Sequence, residues 1–441
     1  MNATTLPLPS RAPAITIQNP GDPSLFSRAR TWVTIIGLFL MAQGNGLFTK
    51  QDKTYWSLKD LNQVYDSKPN LLWLTSLLWV ICLSLMVTSI VPTLRVMVKQ
   101  KAILAIGLLA VISTLWSVEP SLTARRGTLL LLLFAFGWFF STYYTPEDQS
   151  RVLLAAGVVV ALACIAMVVV FPEYGIATTG EWKGIFGQKN RMGLGLFYLF
   201  SSLPFRPLPN VRRVFVLLLQ AAVPIALILL SQSKTSLILT TILVAVRFIA
   251  PWIASRRRDQ LPFAIFSVIF GAIVALTLAL TAQSIILPLL GRDASLTGRT
   301  DHWAILLGYA FRHFWLGYGY EAFWTGTGDS LAIISRVGGA MKGADSGFVD
   351  AMLMLGIGGI ILYVVVAIAC ARTILAVYRK GSIPMMAYWY AGVIIATLIG
   401  SFTENLAMSP TGVSSFVFAL ACAGLGNLKD EDYPTQGALS R

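Results

Sequence analysis

The sequence predicts an all-α polytopic membrane protein with about 12 transmembrane helices and one large loop on the outer side. Three observations lead there. Of its 441 residues, 56% are hydrophobic and only 12% charged, about half the roughly 25% charge of a soluble domain. Mean hydropathy is +0.70. Apolar stretches of about 17–25 residues, enough to cross roughly 30 Å of hydrocarbon, recur from Thr31 to Asn427. The alternating pattern of a barrel is absent. In lipid every backbone N–H and C=O must find a partner within its own segment, so these runs are read as helices.

The elements follow in order. Residues 1–30 read as a cytoplasmic tail: the first 27 are rich in Pro, Ala and Thr, without a basic start and apolar core, and Arg28 and Arg30 lead into the first helix. Spans are expected at 31–48, 70–92, 101–117, 126–143, 151–171, 192–205, 213–231, 235–254 and 262–290. A long connection, 291–345, follows. Three more spans lie at 346–371, 384–402 and 410–427, before a cytoplasmic tail at 428–441. No internal repeat is visible, which weighs against repeat-built transporters.

With the N-terminus inside, short basic loops hold Arg95/Lys99, Arg206/Arg212/Arg213, Arg256/Arg257/Arg258 and Arg372/Arg379/Lys380 on the cytoplasmic side. That satisfies the positive-inside rule and accounts for much of the +14 formal charge without nucleic acid. The same count puts 49–69, 172–191, Lys234 and 291–345 outside, together with further cations that orientation does not require. A cationic set at one membrane face suits an anionic group such as a diphosphate. The four cysteines all fall in apolar runs, without metal-ligand spacing, and read as packing residues.

Several residues stand out, each with a plainer reading beside the chemical one. Arg299, in Thr-Gly-Arg-Thr-Asp-His-Trp, can grip a phosphate bidentately, or anchor to headgroups or pair with Asp301. Lys234 is squeezed between two apolar spans, as a substrate contact or a snorkelling side chain. Asp345 opens a span, where an N-cap is the plainer role and a carboxylate base at the surface the chemical one. Asp350, five residues on, is either packed or a second carboxylate of the site. Glu404 lies at the outer end of its span, and Lys189 and Arg191 enter theirs from the same side, as caps, interface residues or ligands. His302 and His313 are too isolated for a metal site. Segment 291–345 is long and aromatic enough to be a folded cap, with helical spacing over Arg299–Phe314.

These landmarks together resemble the O-antigen ligase/polymerase superfamily, especially exopolysaccharide polymerases of the ExoQ and Wzy type. The residues that carry the resemblance are Trp-Ser-Val-Glu-Pro-Ser-Leu-Thr-Ala-Arg-Arg (116–126), Gly-Ile-Phe-Gly-Gln-Lys-Asn-Arg-Met-Gly (184–193) and Ser-Gln-Ser-Lys-Thr-Ser (231–236). Then come Leu-Thr-Gly-Arg-Thr-Asp-His-Trp (296–303), Gly-Tyr-Gly-Tyr-Glu-Ala-Phe-Trp (317–324), Ala-Asp-Ser-Gly-Phe-Val-Asp (344–350) and Phe-Thr-Glu-Asn (402–405).

The resemblance implies a GT-C-like fold in the bacterial inner membrane and an inverting, metal- and cofactor-independent glycosyl transfer at the periplasmic face. The donor would be an undecaprenyl-diphosphate-linked oligosaccharide. Carried over by position, the catalytic places fall on Asp345, Arg299 and Lys234. Arg191, Lys189, Arg126, Arg125, Glu404 and Asp350 would bind substrate, with Tyr320 and Trp324 stacking on sugars. Ligases have His where this chain has Asp345, and relatives often have Arg where it has Lys234. The implied activity is a polymerase, with a ligase as the alternative and a flippase behind both. Implied partners are membrane lipids and a chain-length regulator or export complex, with no nucleic acid.

Overall fold

The computed structural model describes residues 25–43, 80–87, 89–206, 210–254, 260, 299–325, 329, 343–379, 383–410 and 412–430. The expected span 262–290, residues 44–79, the arginines 256–258 and most of both expected tails lie outside them, but the tails expected at 1–30 and 428–441 give way at 25–30 and 428–430 to the ends of helices. The described chain is helical: α1 Leu25–Gln43, α2 Val80–Val87, α3 Ile90–Lys99, α4 Lys101–Ile112, α5 Pro120–Tyr143, α6 Pro146–Val170 and α7 Lys189–Phe200. It continues with α8 Val211–Ser231, α9 Lys234–Ala254, α10 Arg299–Arg312, α11 Gly347–Tyr378, α12 Met385–Gly400 and α13 Val413–Asp430. No strand occurs among the described residues, only one isolated bridge between Ile176 and Trp182.

Among the described residues five helices (α5, α6, α8, α9 and α11) are long and apolar enough to cross a membrane, or six if α2 and α3 form one bent span. Four shorter apolar helices of 10–17 residues accompany them. The expected straight span 70–92 gives way to a 97° bend between α2 and α3, so Arg95 and Lys99 ride on a helix rather than a loop. Pro92 explains the break: without an N–H it fits only the first turn of a new helix. Helix α5 likewise begins six residues before its expected start, with Pro120 in its first turn, so Arg125 and Arg126 sit one turn further in.

The centre of the bundle is α5 against α13. Phe136 and Phe140 of α5 meet Phe416 of α13 at ring-centroid distances of 5.3 and 5.5 Å. Phe134, Trp138 and Phe139 are also buried. Outward faces stay apolar: Phe215, Leu218 and Leu219 of α8 are exposed, as expected for side chains that meet lipid.

Helix α11 is broken at Gly356, which takes φ 61° and ψ −153°. A break in a membrane helix leaves backbone groups without partners, a cost of several kcal/mol each in hydrocarbon. Here segment 314–319 supplies them. Tyr318 N and Gly319 N donate to Leu353 O and Met354 O (2.8 and 3.0 Å), and Ile357 N donates to Phe314 O (2.8 Å). A Cβ on Gly356 would lie 2.6 Å from Phe314 O, so the approach requires glycine. Beside this clasp, Leu306, Tyr309, Tyr318, Phe323 and Trp324 form a second hydrophobic cluster with Val349, Met352 and Leu353 of α11.

Candidate functional site

The starts of α5, α7, α9 and α11 meet the end of α12 at one end of the bundle. Four contacts make the junction. Asn190 Nδ2 at the start of α7 donates to Glu404 Oε1 just past α12, at 2.7 Å. The Thr235 hydroxyl, next to Lys234, lies 3.3 Å from the Thr403 hydroxyl. Gly347 N donates to Ser401 O at 2.7 Å. Helices α7 and α9 touch where Gly193 faces Ser233 and Ser236, so closely that a Cβ there would lie 2.5 Å from Ser236 Oγ.

Arg126 joins α5 to this junction. Its Nη1 lies 2.7 Å from Oε2 of Glu321, and both side chains are largely buried. The pair is placed by the docking of 116–123 onto 316–320. Trp116 Nε1 donates to Leu316 O (2.8 Å), Val118 N to Tyr318 O (3.0 Å) and Thr123 Oγ1 to Tyr320 O (3.0 Å). Tyr320 N donates in turn to Ser113 Oγ (3.0 Å). With the strip pinned on both sides, Glu321 is held at φ 61°, a left-handed conformation that costs a non-glycine residue about 1–2 kcal/mol. Such strain persists only where its surroundings over-determine it.

Arg191 lies within electrostatic reach of Glu321, Glu404 and Arg126. Its side chain is exposed. Lys189 pairs with Glu181 at 3.0 Å. The Thr179 hydroxyl, and after it Lys189, hold the Glu181 carboxyl down to about 2 against the opposing effect of its burial. Lys234, the first residue of α9, is exposed, as is Arg125. Arg299 is the first residue of α10, and its side chain lies outside the described residues.

At the start of α11 the sequence-based role is redistributed. The N-cap is Ser346, whose Oγ accepts from Val349 N at 3.5 Å, not Asp345. Asp345 precedes the cap with φ 50°, half-buried. Asp350 is buried, and its Oδ1 accepts from Ala344 N (3.0 Å) and Trp324 Nε1 (3.1 Å). Tyr320 and Trp324, expected as sugar-stacking rings, are core residues instead: both are buried, the Tyr320 hydroxyl bonds to Met408 O and the Trp324 indole is spent on Asp350. Neither presents a ring face. The exposed aromatics of the segment are Phe311 and Trp315.

The structure thus brings Arg126, Arg191, Glu404, the start of α9 at Lys234 and the start of α11, just after Asp345, to one place. Sequence reasoning assigned no role to Glu321 or Thr403, and took Asn190 only within the stretch 188–191 that enters its span. The signal for Glu321 was present as a single carboxylate inside a glycine–aromatic run; Asn190 and Thr403 lie in landmark stretches, but as common polar residues they do not show which partner they face.

No curated protein matches the chain at a significant level. Residues 215–364, from α8 into α11, match the family model described as O-Antigen ligase. That stretch contains Lys234, Arg299, Glu321, Asp345 and Asp350, while Arg126, Arg191 and Glu404 lie outside it. Over residues 215–364, about a third of its length, the chain is therefore similar to the O-antigen ligase family, which supports the O-antigen ligase/polymerase resemblance.

Proposed function

We propose that the protein is a polysaccharide polymerase that joins lipid-diphosphate-linked oligosaccharide repeat units at the periplasmic face of the bacterial inner membrane. The observation that carries this reading is the convergence of Arg126, Arg191, Glu321 and Glu404 beside the start of α11, which Asp345 precedes, next to a segment with the O-antigen ligase family signature. Cations held in place by fixed carboxylates are pre-organised to receive a diphosphate and to stabilise the charge that builds on it.

In the step itself, an acceptor sugar hydroxyl attacks the anomeric carbon of the donor. The new C–O bond forms as the bond to the diphosphate breaks, with inversion. The electron pair leaves with undecaprenyl diphosphate, against Arg126, Arg191, Lys234 and Arg299. Asp345 orients the hydroxyl and takes its proton. Lys189, Arg125 and Glu404 border the site, and the donor and acceptor lipids approach laterally between helices. The count of about 12 spans, the GT-C-like arrangement and a chain-length partner belong to this same reading.

Glycan sizing in a deletion strain complemented with wild type, Arg299→Ala or Asp345→Ala tests it. Accumulation of single lipid-linked units in the deletion, with neither variant restoring polymer, supports the polymerase. Long polymer that remains on its carrier lipid in the deletion overturns it in favour of a ligase, which moves a finished glycan to another acceptor.

A further inference from the structure

Two features at the start of α11 call for a common cause. Asp345 holds a left-handed backbone, and Asp350, one turn into the helix, is a buried carboxylate that accepts hydrogen bonds from two neutral donors among the described residues. Burying a carboxylate is costly, and a well-packed apolar side chain would occupy such a position at lower free energy. The hydrogen bonds show what the carboxylate does there. Asp350 Oδ1 fixes Ala344 N at 3.0 Å, while the Trp303 indole fixes Ala344 O at 2.8 Å. Residue 344 is therefore gripped from both sides, immediately before Asp345. On the other side Ser346 caps the helix and Gly347 N is tied to Ser401 O. Asp345 is suspended between two anchored residues, which is the over-determination that a strained backbone needs.

The grip also reaches the rest of the site. Trp303 stands one turn into α10, which Arg299 opens. Trp324, the second donor to Asp350, stands three residues after Glu321 in the strip that carries the Arg126 partner.

We propose that Asp350 is a positioning residue: through the Ala344 peptide it sets where the Asp345 carboxylate stands relative to the Arg299 helix and the Glu321 strip. The catalytic meaning of that placement rests on the reading of Asp345 as the acceptor-facing carboxylate. The placement itself does not.

The test uses the full chain, purified in detergent, with Asp345→Cys as a reporter and a membrane-impermeant maleimide as the probe. In the Asp345→Cys background, Asp350→Ala changes the labelling rate several-fold, and Asp350→Asn, which keeps an Oδ1 acceptor, restores it. In strains with the native Asp345, Asp350→Ala lowers chain lengthening at least about tenfold, since sub-ångström placement governs such rates. Asp350→Asn recovers most of it.

An unchanged labelling rate in an Asp350→Ala protein that melts like wild type overturns the proposal. So does an Asp350→Asn variant that labels normally yet loses lengthening fully, because the charge would then act in the chemistry itself. If Asp350→Ala fails to fold, Trp303→Phe decides: it releases the other side of Ala344, and an unaltered labelling rate there is equally fatal. Asp345→Ala activity equal to wild type would sink the functional reading alone and leave the labelling result to judge the clamp.

Discussion

Arg126 of α5 and Glu321 of the glycine–aromatic strip lie 2.7 Å apart, although 195 residues separate them in the chain. The arginine reaches the site already charge-balanced, held where an incoming diphosphate can share it. Because both side chains are largely shielded from water, a double-mutant cycle on Arg126→Ala and Glu321→Ala should show a coupling on the order of 1–2 kcal/mol in thermal unfolding. Additive losses would mean that the pair is not formed. Chain lengthening should fall in both single variants.

Gly356 tests the clasp that repairs the broken helix. Gly356→Ala places a methyl group 2.6 Å from Phe314 O and puts a side chain at φ 61°. The combination of this positive φ with an extended ψ, a region only glycine populates readily, alone costs about 1–3 kcal/mol, and the displaced carbonyl adds to it. Melting of the purified protein should fall by several degrees. A variant as stable as wild type would show that segment 314–319 does not seat against α11 in this way.

Asn190 and Glu404 form a charge-assisted hydrogen bond of 2.7 Å. Losing it in Asn190→Ala should cost about 1.5–3 kcal/mol. Asn190→Asp is nearly isosteric yet sets two carboxylates face to face, so it should be worse than alanine near neutral pH. It should recover relative to alanine as the pH falls through the carboxylate range. Equal melting of the two variants from pH 8 to pH 5 would argue that Glu404 faces elsewhere.

Glu181 supplies a pH test outside the membrane. Its folded value is held down to about 2, below the ordinary glutamate value of about 4.3. A depressed value adds stability that is present above the unfolded value and is lost as pH falls through the folded one. The stability gap between wild type and Glu181→Gln should therefore stay constant from pH 8 to about pH 5. It should narrow below about pH 4 and close near pH 2. A gap that closes already at pH 6 would assign the stabilisation to another group.

Hydropathy is a local property, and so the helices were legible from sequence. Expected spans such as 151–171, 213–231 and 235–254 meet helices that begin and end within a few residues of them. The helix expected over Arg299–Phe314 is also present. Where expectation slipped, at α3 and at the start of α5, a proline decided the boundary, and a window of apolar residues does not register its missing N–H.

By itself, then, the sequence determined the helical membrane class, the cationic end of the bundle and the family resemblance, because apolar run length, charge placement and short motifs are written in neighbouring residues. Only the tertiary structure decided that Ser346 and not Asp345 caps α11, that Tyr320 and Trp324 belong to the core, and that Glu321 faces Arg126. Each of these depends on which backbone and side-chain groups, far apart in the chain, satisfy one another once the helices have packed, and no local pattern encodes that pairing.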